Sequence, residues 1–172
     1  MIIVKNINKL FNTLFISNFL DENGTYTTHV DIPLSELWKA EEMICKSPDK
    51  ELQFILLGTK GKIEQIILDE TTVSVNGGNG IDSTNQTKNK VDELIGKTGL
   101  DFIGFAHSHL THHKDEFSQH DLNYIDEFKK TGGDHVNVLF KLKEKLPGEE
   151  YGRVNVQAIN NDKERVSINM TS

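Results

Sequence analysis

Short apolar runs separated by polar, glycine-bearing turns make up most of the chain. Runs of this length, rich in Ile, Val, Leu and Phe, predict β-strands. The polar turn at residues 21–24 predicts that the first two strands form a hairpin, with residues 1–25 as an N-terminal extension that is part of it. The predicted strands cover residues 11–19, 25–32, 51–58, 63–69, 72–75, 101–106, 136–142, 151–159 and 165–169, the last of them at a sheet edge.

Three other segments have the apolar spacing of amphipathic helices. Glycines 132 and 133 follow the third of these segments and predict its end. The glycine- and asparagine-rich stretch 76–85 predicts a flexible loop, and residues 110–117 predict a polar one. The predicted helices run from the N-cap Ser35 to Lys46, over residues 86–97, and from Gln119 to Lys130.

Length and composition fit one domain. The chain has 172 residues, of which 36% are hydrophobic and 26% are charged, which is enough apolar material for one core. No internal repeat or linker divides it, so we interpret residues 1–172 as a single domain. The mixture of strands and helices predicts the α/β (α+β) class.

The charge pattern argues against nucleic-acid and membrane partners. The formal net charge is -7, and the lysines are scattered, whereas nucleic-acid binding depends on clustered cations. Polar residues between Lys5 and Asn12 interrupt the apolar N-terminal segment, so it predicts neither a signal peptide nor a membrane span. Cys45 is the only cysteine and can form no intramolecular disulfide, which fits a reducing compartment. We therefore expect a cytoplasmic protein, and its oligomeric state stays open.

Two histidines stand at the end of the apolar strand 101–106. Side chains two residues apart on a strand point to the same face, so His107 and His109 project together. Two imidazoles placed in this way can occupy adjacent corners of a zinc tetrahedron. The pair therefore predicts a metal site at the end of this strand.

A serine and an aspartate follow the histidine pair at the start of the third predicted helix. Asp121 lies in the first helical turn, where its carboxylate can supply a third metal ligand. Three protein ligands leave one position open for water, which is the arrangement of a catalytic zinc site. The spacing of Ser118 and Asp121 also fits a helix cap, in which the serine hydroxyl accepts a hydrogen bond from a first-turn amide. The two interpretations are compatible.

Hydrolysis at such a site also needs a base. Glu51 opens the apolar strand ELQFILLG, and composition alone favours a solvated strand end for it. A base must be held by a rigid element within reach of the reacting water, and the start of a buried strand meets that requirement.

Taken together, these residues resemble the JAMM signature of the JAB/MPN metalloproteases, over roughly residues 26–160. The matching positions are Glu51 with Leu56 and Gly58, the stretch Gly104-Phe105-Ala106-His107-Ser108-His109, and Ser118 with Asp121. Eight residues separate His109 from Ser118, where the usual pattern has seven.

The resemblance implies a cytidine-deaminase-like mixed sheet flanked by helices. It also implies that His107, His109 and Asp121 bind Zn²⁺, that Glu51 is the general base, and that Ser118 steadies the oxyanion. The implied activity is a deubiquitinase-like isopeptidase acting after the C-terminal tail of a ubiquitin-like protein. By analogy the chain is similar to the prokaryotic, stand-alone branch of the family. An extended substrate tail would then add to a sheet edge near the zinc.

Two other functions remain open. The chain can be a catalytically silent MPN scaffold that binds a protein partner, or a metal hydrolase acting on a small amide. His112, together with His107 and His109, partly resembles the metallo-β-lactamase ligand run, but that fold needs further ligands downstream, where His135 is the only histidine. We expect the loop histidines 112, 113 and 120 to be solvated.

Overall fold

The computed structural model describes residues 14–16, 29–59, 61–74, 81–82, 85–130, 135–149 and 153–172. Within them lie ten strands and three helices. The helices are α1 (Leu34–Lys46), α2 (Asn85–Thr98) and α3 (Gln119–Lys129). The strands are β1 (Leu14–Ile16), β2 (His29–Pro33), β3 (Gln53–Thr59), β4 (Lys62–Leu68), β5 (Val73–Ser74), β6 (Ile81–Asp82), β7 (Asp101–His109), β8 (Val136–Leu142), β9 (Val154–Asn160) and β10 (Arg165–Thr171).

The main sheet closes on itself. Its strand order is β1-β9-β10-β2-β4-β3-β7-β8. A further pairing of β8 with β9 closes the seven strands from β9 to β8 into a ring, and β1 pairs with β9 outside that ring. The ring is mixed, because β2 is parallel to β10 and β4, and β7 is parallel to β8, while the other pairs are antiparallel. The expectation of an α/β sheet flanked by helices was therefore wrong. Alternation along a strand indicates its apolar face, but closure depends on long-range registers that local patterns do not carry.

A continuous apolar core fills the ring. Phe54 of β3 and Phe140 of β8 meet edge to face, with ring centroids 5.8 Å apart, and both are fully buried. Helix α1 adds its apolar face to this core through Leu37, Ala40 and Ile44. The strands around the ring thus bury alternate side chains inward, as a small closed barrel requires.

Strand β3 is buried on both of its faces. Its inward residues join the barrel core, and Ile55 and Leu57 pack outward in a second cluster beneath Val91 of α2. This explains why residues 54–57 are all apolar, since a strand covered on both sides needs no polar face. Phe102 and Phe105 of β7 join the same outer cluster.

Gly104 allows β7 to lie close against β8. Its φ is +152°, and a Cβ atom at this position would lie 1.9 Å from the carbonyl oxygen of Val136. The β3–β7 register shifts at this point, between Leu56 and Leu57. The shift lets Phe102 and Phe105 share the outer face although they are three residues apart.

Several local predictions also need correction. β1 pairs with β9, and β2 pairs with β10 and β4. The turn at 21–24 of the predicted hairpin and the strand residues next to it lie outside the described residues, so the hairpin stays a prediction. β10 has neighbours on both sides and is not an edge strand. Helix α1 begins at Leu34, one residue before the predicted N-cap Ser35. β6 falls within the predicted loop 76–85 and pairs with β5.

Among the described residues, no helix combines the length and the apolar character that crossing a membrane requires.

Candidate metal centre

β7 carries both histidines to the outer face of the barrel. Ser108, between them, points the other way, and its Oγ accepts a hydrogen bond from the Leu52 amide at 2.8 Å. The Ser108 amide in turn donates to the Leu52 carbonyl at 2.9 Å. This double contact fixes the end of β7 against the residue that follows Glu51, and the strand alternation then sends His107 and His109 to one side.

Asp121 reaches the same side from the start of α3. Ser118 caps this helix, because its Oγ accepts from the Asp121 amide at 3.2 Å and its own amide donates to Oδ2 of Asp121 at 2.7 Å. The capping interpretation of this pair is therefore confirmed. The same Asp121 carboxylate also faces both histidines, so the cap orients the carboxylate rather than competing with ligation.

Three donor groups meet in a small triangle. Nε2 of His107 lies 3.2 Å from Nε2 of His109, which lies 3.1 Å from Oδ2 of Asp121; Oδ1 of Asp121 lies 3.2 Å from Nε2 of His107. A tetrahedral zinc ion with bonds of 2.0–2.1 Å places its ligand atoms about 3.3–3.4 Å apart. The donor set and spacing therefore fit a zinc ion, and these three residues could hold a metal ion.

The tautomer of His109 also fits a metal ligand. Its Nδ1 lies 2.9 Å from the Lys114 carbonyl oxygen, which can only accept, so Nδ1 carries a hydrogen. With the ring neutral, Nε2 presents a lone pair toward both His107 and the Asp121 carboxylate. Facing lone pairs repel unless a cation, either a proton or a metal ion, lies among them. A metal-ligating histidine usually donates its other ring N–H to a carbonyl or carboxylate in this way.

The pKa values of Asp121 and His109 follow from their contacts with each other. Burial disfavours the charged form of Asp121, but its hydrogen bonds with His107 and His109 outweigh burial and hold its pKa far below the usual range. Burial likewise acts to lower the pKa of His109, yet the contacts with Asp121 and the Lys114 carbonyl raise it overall. The carboxylate is thus ionised and ready to bind a cation.

An aromatic cluster fixes α3 against β7. The ring of Phe128 in α3 lies 5.6 Å from that of Phe102 and 5.7 Å from that of Phe105, and Tyr124 lies 6.3 Å from Phe105. Since Asp121 is on the same helix, this packing sets the distance between its carboxylate and the histidines.

Glu51 lies beside the triangle. Gln53 pairs with His107 in the β3–β7 register, and extending that antiparallel register places Glu51 opposite His109. Its side chain is 11% exposed, and Oε1 lies 2.8 Å from Nδ1 of His113. The carboxylate therefore contacts His113, and its negative charge acts on His109.

His113 and Lys141 are site residues that the sequence interpretation missed. His112 and His120 are exposed as predicted, but the solvated environment expected for His113 was wrong. Lys141 is 1% exposed, and its Nζ donates to the carbonyls of Leu110, Thr111 and His113. A lysine within the apolar run Val136–Leu142 was a signal that could have revealed it, because buried lysines need partners.

No protein-family model matches the sequence, and no curated protein matches it. Solved structures do resemble the fold. The solution structure of a Desulfitobacterium hafniense protein has a TM-score of 0.61 at 12% identity, over 83% of this chain and 93% of that one. A JAB1/MPN domain protein from Archaeoglobus fulgidus has a TM-score of 0.48 at 19% identity, over 83% of this chain and 100% of that one. The first likeness extends to the fold alone, so the JAB/MPN interpretation rests on the motif and on the site.

Proposed function

We propose that this chain is a zinc-dependent hydrolase of the JAB/MPN type that cleaves an amide bond. The observation that carries the proposal is the triangle formed by His107, His109 and Asp121, with Glu51 near enough for its charge to act on His109. Two imidazoles and one carboxylate are the donor set of a catalytic zinc site, in which a fourth position stays open.

Each residue has a role in this proposal. Zinc, when bound, supplies a Lewis acid that polarises a carbonyl and lowers the pKa of water to about 7. Glu51 takes a proton from the attacking water and delivers it to the leaving amine. The Ser118 hydroxyl accepts from the Asp121 amide through its oxygen, so its hydrogen is available to the oxyanion that develops on the substrate.

The substrate class follows from the motif. We propose that the bond cleaved is an amide or isopeptide bond that follows the C-terminal tail of a ubiquitin-like protein. β7 has strand neighbours on both sides, so along the histidine strand no free edge is left for a substrate strand. A sheet edge to which an extended tail adds would therefore belong to a strand other than β7.

Zinc stoichiometry and cleavage together test the proposal. The zinc-loaded full chain is assayed against ubiquitin carrying a C-terminal coumarin amide and against a short Gly-Gly peptide with the same leaving group. We expect about one equivalent of zinc and cleavage of the ubiquitin probe. Variants His107→Ala and His109→Ala should lose the metal, whereas His29→Ala, an exposed histidine on β2, should keep it.

Each alternative gives a different result. A protein that takes up no zinc after supplementation supports the silent scaffold. A zinc protein that cleaves the short peptide amide as fast as the ubiquitin probe supports the small-amide hydrolase.

A further inference from the structure

We infer that His113 is a positioning residue that holds the Glu51 carboxylate in place beside the metal centre. The inference rests on the proposed function, because it assigns a role within the same site. It concerns a residue in the loop between His109 and Ser118, the segment with one residue more than the usual pattern.

The contact itself is short and sheltered. Nδ1 of His113 lies 2.8 Å from Oε1 of Glu51, and the two side chains are 27% and 11% exposed. Among the residues that the structure describes, His113 is the one side chain that hydrogen-bonds to this carboxylate. An ionised carboxylate only accepts, so His113 must donate from Nδ1. One carboxylate oxygen, Oε1, is thereby held in place.

Lys141 of β8 holds the loop that carries His113. Lys141, buried in β8, donates to the His113 carbonyl and to the carbonyls of Leu110 and Thr111. The His113 amide also donates to the Leu110 carbonyl at 3.0 Å, which closes a turn. A buried ammonium with three carbonyl partners restrains the backbone of this turn. The position of the His113 ring is therefore set by the fold.

Two consecutive residues of this turn contact the proposed base and one of the proposed metal ligands. The side chain of His113 contacts the base, and the carbonyl of Lys114 contacts the ligand His109 at 2.9 Å. One restrained turn thus sets the base and the metal ligand relative to each other. Groups of this kind orient catalytic residues, and their loss typically costs about 10–100-fold in activity or metal affinity.

The kinetic test uses the zinc-loaded full chain and the ubiquitin coumarin amide. We expect His113→Ala to lower kcat about 10–100-fold with KM changed less than about twofold. Zinc content should stay at about one equivalent, since His113 is not a ligand. His113→Asn, which keeps a donor near the Nδ1 position, should recover most of the loss. The control His29→Ala removes an exposed imidazole from β2 and should behave like the original chain.

A second readout needs no activity. In mildly alkaline buffer, long-range ¹H–¹⁵N spectra of the imidazoles should show His113 with its hydrogen on Nδ1. Glu51→Ala should shift His113 toward the Nε2–H form, whereas His29→Ala should not.

The two measurements separate the possible failures. If His113→Ala keeps full kcat, loses zinc, or changes KM alone, the positioning role is overturned. An Nε2–H tautomer in the original chain, or no response to Glu51→Ala, overturns the contact itself. If the zinc protein cleaves neither probe while the spectra respond as expected, the proposed function fails and the contact between His113 and Glu51 stands.

Discussion

Nδ1 of His109 donates to the Lys114 carbonyl at 2.9 Å, which turns the opposite ring nitrogen toward Asp121. The acceptor is a backbone carbonyl five residues further along the chain, so the hydrogen bond does not depend on which side chain stands at position 114. It fixes both the tautomer and the ring plane of His109. The metal centre is therefore oriented by the loop that follows it as well as by β7.

Glu51→Gln should abolish turnover without removing zinc. Glutamine keeps the size of the side chain but cannot take up a proton, so we expect kcat to fall on the order of 10²–10⁴-fold. Zinc content should remain at about one equivalent, because Glu51 is not a ligand. Steady-state kinetics with metal analysis on the same samples measure both quantities. An active Glu51→Gln protein would show that the base is another residue.

Ser118 should have separable roles in stability and in catalysis. Ser118→Ala removes the cap of α3 and should cost about 1 kcal/mol of unfolding free energy. Ser118→Asp keeps a capping oxygen and should restore most of that stability, but as an ionised carboxylate it has no hydrogen to donate. Both variants should lose activity if the hydroxyl stabilises the oxyanion. Denaturant unfolding and kcat measure the two effects, and an active Ser118→Asp protein would exclude a catalytic role for the hydroxyl.

Gly104→Ala should destabilise the barrel strongly. A Cβ atom at this position would lie 1.9 Å from the Val136 carbonyl oxygen, so β7 and β8 must move apart. We expect a loss of about 2–3 kcal/mol or more in unfolding free energy. The matched control is Gly96→Ala in α2, where nothing lies within 4 Å, and which should gain about 0.5–1 kcal/mol. Equal effects at the two positions would contradict the close approach of β7 and β8.

Asp69 should make stability depend on acid pH. Burial acts to raise its pKa, but hydrogen bonds from Thr71, Thr87 and Gln53 outweigh burial and lower the pKa below 3.8. A lowered pKa in the folded state means that the stabilisation is fully present above the ordinary value. It is then lost as the pH falls through the folded-state pKa.

The matched variant for this test is Asp69→Asn, which removes the titrating group. The difference in unfolding free energy between the original chain and this variant should be constant at neutral pH and shrink below about pH 4. A difference independent of pH would contradict the assigned ionisation.

The sequence predicted the parts of this molecule that depend on neighbouring residues. His107 and His109 share a face because strands alternate, and Asp121 follows a capping serine, so both features are local. Closure of the barrel depends on pairings between strands far apart in the chain, such as β10 with β2 and β3 with β7, and such pairings leave no local signature. Contacts to the site from residues far away in the sequence also leave no local signature.

Lys141 illustrates this second limit. It reaches the loop after His109 from a strand about thirty residues later in the chain, and its partners are backbone carbonyls, which every residue possesses. The apolar run around it indicated that this lysine is unusual, but not which turn it holds. The contact of His113 with Glu51 could not be predicted either, because the polar composition of the loop favours a solvated side chain.

X-ray diffraction on both sides of the zinc absorption edge tests the central claim most directly. Crystals of the full chain grown with one equivalent of zinc should give an anomalous peak within the triangle of His107, His109 and Asp121. The peak should lie about 2.0–2.1 Å from both Nε2 atoms. A zinc peak elsewhere in the molecule, with none among these three side chains, would contradict the account.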